Sequence, residues 1–404
     1  MYVFEIWSSS QSFCHGAFYN KRTQNALYCL AHMISIELSP KNPFHLFFAS
    51  REGRHNLAVT NFEELAGSSE AAQDLLRTTM VMHLIAPDFP HVIETNFELA
   101  DKSLIDRLYH HYGQKNPRIF ASRNQIDLDY GREDKPNVHA DYVNAHSGGL
   151  DSTYRATKLV AAGKSVLAVH LKNLNPKGTS LESRASKAQA EAWGIPHKEL
   201  QFINGSRNYG SNMMRTRDLL VATATALVGL KAGAKEVQIE GDFVRDKAEA
   251  QFSEYEGTWD MFSILIKKLG LNIEVKGIDA GDIETIGELI KLEKVLDKPI
   301  LDLVQNCFSA PFQLPGIRRK WEKAAPGIAT ASSEHWCGSC LKCRRMTLGR
   351  LYYHDPKFDR VPTSEVKFFV DDTYRWMKLY PEWRGMISDS FMIHLGNLTD
   401  QWGI

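Results

Sequence analysis

The chain has 404 residues, which at ~150 residues per domain makes two or three domains. Hydrophobic residues make up 43% and charged residues 24%, the balance of a chain that buries a core in water. Lys plus Arg and Asp plus Glu each total 48, so the formal net charge is zero, which argues against a globally basic nucleic-acid coat and leaves only a local patch open. No apolar run approaches the ~20 residues that span a bilayer. The start, MYVFEIWSSSQSF, lacks the basic opening and apolar stretch of a secretory signal. A cytoplasmic protein without a membrane partner is expected.

Residues 1–140 mix strand-like pieces (YVFEIW, HLFFAS) with a helical one (SEAAQDLLRTTMVMHLI) and form an expected α+β N-terminal domain of unassigned role. The doublet His110-His111 has no supporting spacing or acidic partner and reads as surface. Residues 125–142, QIDLDYGREDKPNVHADY, read as a linker, with Asp127, Asp129, Glu133 and Asp134 as solvated loop acids rather than metal ligands. Between residues 141 and 300, strands alternate with helices. Strand-like runs fall at 164–173, 234–242 and 272–280, with a weaker one at 197–203. Helical patterns begin after Asp151, from Glu182, from Arg217 and from Thr258, and all four end in Gly. This alternation predicts a parallel sheet with helices on both faces. Ligands of such sheets bind at the carboxyl ends of the strands where strand order reverses, which puts the chemistry after residues 146, 170 and 240.

The strongest chemical signal is AHSGGLDST, residues 145–153, between a candidate strand (DYVNAH) and a helix. Two adjacent glycines let backbone approach phosphate oxygens. Hydroxyls of Ser147, Ser152 and Thr153 can donate to those oxygens, and the helix N-terminus adds free N–H groups and a positive dipole end. Asp151 beside phosphate suits a bridging Mg²⁺ or a helix cap. A lone Gly-Gly would say little; the whole string at a strand–helix junction says far more.

Of six cysteines, Cys14 and Cys29 lack partner spacing, and Cys307, Cys337, Cys340 and Cys343 lie in the C-terminal third. The last three form overlapping C-x-x-C units in HWCGSCLKCRR. With Cys307 as a distant fourth thiolate they suit a closed, structural zinc site, with Gly338 easing the turn. The alternatives are an iron–sulfur cluster and free buried thiols. Basic residues Arg318, Arg319, Lys320, Lys342, Arg344 and Arg345 read as a solvated face before a nucleic-acid or phosphate patch. The aromatic tail YRWMKLYPEWRG reads as a packing element.

Ser147-Gly148-Gly149-Leu150-Asp151-Ser152 resembles the SGGxDS signature of the PP-loop ATP pyrophosphatases, which cleave ATP to AMP and pyrophosphate while activating a carbonyl or carboxyl oxygen. Within that superfamily, the four cysteines resemble the 7-cyano-7-deazaguanine synthase (QueC-like) family of queuosine biosynthesis, with its lone Cys followed by C-G-x-C-x-x-C. The stretch from Thr285 to Leu292, TIGELIKL, is similar to that family's T-K-A-E-I-I-K-L, and Arg217-Asp218 sits where the family has Arg-Asn. The resemblance covers roughly residues 140–350. It implies an α/β fold: a parallel-sheet, adenine-nucleotide alpha-hydrolase-like core at 141–300, a Cys₄ zinc region at 301–404 and the additional domain at 1–140. Two departures stand out. Ile286 replaces the family's Lys, and residues 241–259 lack the family's deazapurine-pocket motif.

What the resemblance implies for chemistry is a ligase. A substrate carboxylate attacks the α-phosphorus of ATP, pyrophosphate leaves, and ammonia displaces AMP from the acyl-adenylate. Taking 7-carboxy-7-deazaguanine to the amide and then to the nitrile consumes two ATP. The implied cofactors are ATP, Mg²⁺ and structural Zn²⁺. Ser147, Gly148, Gly149, Leu150, Asp151, Ser152 and Thr153 are assigned to the nucleotide. His170 and Leu171 are expected beside the adenine through backbone groups. Arg217 is expected on phosphate or substrate, with a helix-surface salt bridge as the alternative. Glu240 and Asp242 fit metal or substrate contacts, or merely a polar strand end. Ser147, Asp151, Ser152 and Arg217 are the expected catalytic set. The alternative function is a defence-associated paralogue that sends the activated acid to an amine on a protein or nucleic acid, for which residues 1–140 would be the contact to a protein partner. A tRNA-thiolating relative and a catalytically dead binding module are the more distant options, and the resemblance is compatible with a homo-oligomer.

Overall fold

β7 (Val166–Lys172) reads VLAVHLK, and its first five residues are all buried, as in a strand covered on both faces. In the computed structural model it sits inside a ten-stranded, mostly parallel sheet of a mixed α/β fold. The structure describes residues 33–404 apart from 51–52, 66–67, 100, 123–137, 175–178, 206–214, 242, 249, 280–281, 306–313, 334–335 and 382–386. Cys14, Cys29, Asp242, Cys307 and the four linker acids lie outside the described residues.

β6 (Tyr142–Ala145), β7, β8 (His197–Asn204), β9 (Glu236–Glu240) and β10 (Glu274–Ile278) run parallel in the order β8-β7-β6-β9-β10. From β6 the chain moves outward through β7 and β8, then returns to lay β9 on the other side. Strand order therefore reverses between β6 and β9, the position at which open α/β sheets bind ligands. The crossovers are α3 (Leu150–Ala161), α4 (Thr179–Trp193), α5 (Arg217–Lys231) and α6 (Glu256–Lys268), with α7 (Ile283–Leu296) after β10. These are the four expected helices and one more; α4 starts at Thr179, earlier than the expected Glu182.

The N-terminal part extends the same sheet. β1 (Met33–Ser39), β2 (Asn42–Ser50) and β3 (Gly53–Val59) are antiparallel, and β1 also pairs in parallel with β4 (Val92–Thr95), which pairs with β5 (Arg118–Ala121). β3 joins β8 antiparallel, with Leu57 opposite Asn204 and Val59 opposite Phe202. α1 (Glu70–Ile85) is buried over most of its length because it packs on α5; α2 (Ser103–His111) follows β4. One apolar cluster consequently runs from Ile34 to Ile273.

The C-terminal region is helical: α8 (Leu314–Ala324), α9 (Pro326–Ala331), α10 (Leu341–Tyr352), α11 (Thr363–Leu379) and α12 (Asp389–Trp402). Trp321, Leu348, Phe369 and Phe391 share its core. The aromatic tail packs here, with Trp376 partly buried against that cluster. Among the described residues no helix is long and apolar enough to cross a membrane.

Candidate functional site

β6 ends at Ala145, and the next residues turn sharply into α3. Gly148 makes the turn with φ +79°, a left-handed conformation that suits glycine. It also lies against α4: a Cβ there would sit 2.8 Å from the Ser186 nitrogen and 2.9 Å from the Ala185 Cβ. The Gly148 carbonyl is held by the Gln305 N–H at 2.8 Å and by Gln189 Nε2 at 3.0 Å, and Gln189 also donates to the Leu303 carbonyl at 2.8 Å. Gly149 is the N-cap of α3 and offers no side chain to its first-turn N–H groups, so that helix end stays open to an acceptor from outside.

The hydroxyls of the loop divide. Ser147 is exposed and its Oγ accepts from the Gly149 N–H at 3.2 Å. Ser152 is buried; its Oγ donates to the Gly149 carbonyl at 3.1 Å and lies 3.2 Å from Ser147 Oγ. Thr153, expected to face a ligand, is fully buried and donates to Gln189 Oε1 at 3.1 Å. Its hydroxyl fastens α3 to α4 instead. Leu150 is buried in the apolar cluster shared with Trp193 and Trp336, and anchors the first turn of α3.

Beneath the loop lies a buried polar layer that sequence reasoning did not find. Asn144 Nδ2 donates to the Ser152 carbonyl at 2.9 Å and to His146 Nδ1 at 3.1 Å, while Asn144 Oδ1 accepts from Arg155 Nε at 3.1 Å. Arg155 Nη2 also donates to the Ala145 carbonyl at 3.2 Å. The His146 carbonyl accepts from Ser186 Oγ at 2.9 Å and from His170 Nδ1 at 3.2 Å. His170 thus reaches the loop through its ring. Burial, then the nearby His197 and Arg155, push the His146 pKa down to about 3; burial pushes that of His170 down to about 4. Both rings are neutral at physiological pH. The only advance signal was the pair of polar residues, Asn144 and His146, flanking the end of an apolar strand.

Pairing of β7 with β6 stops at Ala145 and Val169, while His170 and Leu171 continue to pair with β8 at Glu199 and Leu200. Past that point, among the described residues, no strand covers the β7 edge that faces the loop.

Charged groups ring the carboxyl ends of β6 and β9. Glu240 ends β9 with its side chain reached by solvent, yet its pKa is pushed up to about 7 by partial loss of hydration and by the charges of Asp151 and Asp218. Arg155 and Arg217 pull it the other way. Arg217 pairs with Asp218 at 2.9 Å and feels Glu240 and Glu182. Burial raises Glu182 despite Lys342 and Arg217 nearby. Asp151, Glu240 and Arg217 are thus brought together from three elements. Asp151 and Glu240 are near enough to feel each other's charge, and two such carboxylates could hold a hard divalent cation.

The second cluster is Cys337, Cys340 and Cys343, whose sulfurs all lie within 4.8 Å of one another and could hold a metal ion such as zinc. Cys337 Sγ accepts from the N–H groups of Ser339 at 3.4 Å and Cys340 at 3.3 Å. Gly338 has φ +76°, and a Cβ there would strike the Trp321 indole at 2.5 Å. Neighbouring Trp336 donates its Nε1–H to the Val304 carbonyl at 2.9 Å, and the next residue, Gln305, braces Gly148. The cysteine turn and the loop are linked through residues 304–305.

Other expectations resolve differently. Ile286 is fully buried, packs against Gly349 of α10 and shares an apolar cluster with Leu150. The basic residues do not form one patch: Arg318 binds the carbonyls of Ser333, Trp336 and Ala329, Arg344 pairs with Asp372, and Arg345 pairs with Asp282. His110 is exposed, as expected, whereas His111 is half-buried, with its Nε2 2.9 Å from the Ala250 carbonyl. A cavity of about 750 Å³ among Asp302, Gly327, Ser333, Lys357 and Arg360 touches none of the expected site residues. No protein-family model and no curated protein matches this chain.

Proposed function

We propose that the chain is an ATP-dependent ligase that forms AMP and pyrophosphate while adenylating a small carboxylic acid, which then passes to ammonia. The observation that supports this best is the convergence, at the reversal of strand order, of an uncapped helix N-terminus behind Gly148 with Asp151, Glu240 and Arg217.

In this reading the open N–H groups of α3 and the exposed Ser147 hydroxyl bind the pyrophosphate portion of ATP. Mg²⁺ held by Asp151 and Glu240 would neutralise charge on the departing pyrophosphate. Arg217, paired with Asp218, would meet a substrate carboxylate or the α-phosphate. The carboxylate oxygen bonds to the α-phosphorus, the bond to pyrophosphate breaks, and ammonia then displaces AMP. Three thiolates with Cys307 would hold a structural zinc. A deazapurine acid such as 7-carboxy-7-deazaguanine is the substrate class that the sequence resemblance suggests.

The second reading keeps adenylation but delivers the acid to an amine on a protein or nucleic acid. It is favoured by the way the N-terminal part joins the catalytic sheet along β8. Incubation with ATP, Mg²⁺, ammonium and 7-carboxy-7-deazaguanine separates the two. AMP with a nitrile or amide product supports the first; AMP with a mass gain on a macromolecule supports the second. Absence of AMP under all conditions, with Ser147→Ala and Arg217→Ala indistinguishable from wild type, sinks both.

A further inference from the structure

Arg215, just before α5, is gripped by the N-terminal part of the chain. Its Nη1 donates to the Ala86 carbonyl at 3.0 Å, and its guanidinium lies over the rings of Tyr112 at 4.4 Å and Phe89 at 5.1 Å. The same N-terminal segment also holds residues 250–255, which follow β9. Tyr112 Oη donates to Gln251 Oε1 at 3.0 Å and accepts from the Phe252 N–H at 3.0 Å. His111 Nε2 donates to the Ala250 carbonyl at 2.9 Å, and its ring packs on Phe252 and Tyr255.

Both gripped pieces lead to the charged ring. The Ser253 N–H donates to the Arg215 carbonyl at 3.0 Å, and Ser253 Oγ reaches Asp218 Oδ2 at 3.4 Å. Asp218 in turn pairs with Arg217 and lies within electrostatic reach of Glu240. A continuous chain of contacts thus runs from Tyr112 and His111 through residues 250–253 to Asp218 and Arg217.

We propose that His111 and Tyr112 are positioning residues for acid-substrate recognition: they fix residues 250–255 against Arg215, and so set Arg217 and Asp218 where a substrate carboxylate must be met. This rests on the ligase reading for its catalytic half, whereas the positional half stands on the contacts alone. Neither residue touches the phosphate loop, whose hydrogen bonds run to Gln189, Gln305 and Ser152 instead, so ATP binding should depend on them far less than acid binding does.

The test uses the full chain with Tyr112→Phe, which keeps the ring over Arg215 and removes only the hydroxyl, and with His111→Ala beside His111→Gln, whose amide can still donate to Ala250. The readouts are hydrogen exchange of residues 250–256, the KM for ATP and the KM for 7-carboxy-7-deazaguanine. Loss of one or two hydrogen bonds predicts exchange about three- to tenfold faster at Phe252 and a similar rise in the acid KM. The KM for ATP stays within about twofold of wild type, and His111→Gln recovers most of what His111→Ala loses. Unchanged exchange in Tyr112→Phe overturns the proposal, as does an acid KM that is unchanged or that rises together with the ATP KM. If wild type forms no AMP from this acid, the ligase reading fails separately, and exchange then decides the positional claim: acceleration confined to residues 250–256 supports it, and unchanged exchange overturns it.

Discussion

Gly148 and Ser186 stand so close that a Cβ on residue 148 would come within 2.8 Å of the Ser186 nitrogen. The loop at residues 146–149 is therefore moulded against α4, and its glycine answers to two constraints, the left-handed φ and the neighbouring helix. Gly148→Ala should cost about 1–2 kcal/mol for the backbone conformation and about 1–3 kcal/mol more for the clash. Urea unfolding should show that loss, and AMP formation should fall below detection, because the loop must shift to accept a methyl group.

Removing a metal held by Cys337, Cys340 and Cys343 should loosen the same loop from a distance. Trp336 beside the cysteine turn holds Val304, and Gln305 holds Gly148. Metal analysis should find about one zinc per chain, and Cys340→Ser or a strong chelator should release it. The expected sequel is weaker nucleotide binding together with a lower Tm. Iron with visible absorbance would replace zinc by a cluster.

Glu240 predicts a pH signature. Its folded pKa of about 7 lies above the unfolded carboxylate value, so the folded state keeps a proton that the unfolded state releases between about pH 4.5 and 7. Stability from this group falls as pH rises through that window. Glu240→Gln should remove the fall and gain stability relative to wild type at pH 8 compared with pH 5. If the charged form works in catalysis, activity should rise through pH 7 in wild type, and that inflection should vanish in the variant.

The buried histidines predict the opposite slope at lower pH. His146 and His170 are neutral when folded, and their pKa values of about 3 and 4 lie below the unfolded 6.5. Their stabilisation is fully present above pH 6.5 and is lost as pH falls toward 4. Between those values each should cost on the order of 1.4 kcal/mol per pH unit. Burial pushes the His83 pKa down to about 4 as well, so urea midpoints at pH 7, 6 and 5 should drop accordingly, and His146→Gln should flatten the drop by about a third.

Ile286 offers a test of position against motif. Its side chain fills the space between α7 and α10, where its Cδ1 lies 2.6 Å from an ideal Cβ on Gly349. Ile286→Lys should therefore cost more than about 3 kcal/mol by burying an unpaired ammonium, whereas Ile286→Val should cost about 0.5–1.5 kcal/mol. A lysine variant with wild-type Tm and higher activity would contradict the packing assigned here.

Much of this architecture was readable in the residues. Each strand–helix pair from Tyr142 to Ile278 announces itself because apolar runs and glycine stops are local signals, as in the VLAVHLK of β7 and the Gly163 and Gly233 that follow α3 and α5. The C-x-x-C turns are equally local. The burial of Thr153 and the half-burial of His111 are not legible locally for one common reason: a hydroxyl or an imidazole is inside or outside according to what packs on it, here Gln189 and residues 250–252, which lie far along the chain.

What the sequence determined by itself was the set of short-range decisions: where strands stop, where glycine frees the backbone, and which thiolates are neighbours. The tertiary structure decided which side chains meet. It joined β3 to β8 so that residues 33–121 and 142–278 share one sheet, set Gln189 and Gln305 on the carbonyl of Gly148, and gathered Asp151, Arg217 and Glu240 around one strand end. Those meetings depend on sheet order and burial, which act between residues distant in the chain, and no local pattern carries them.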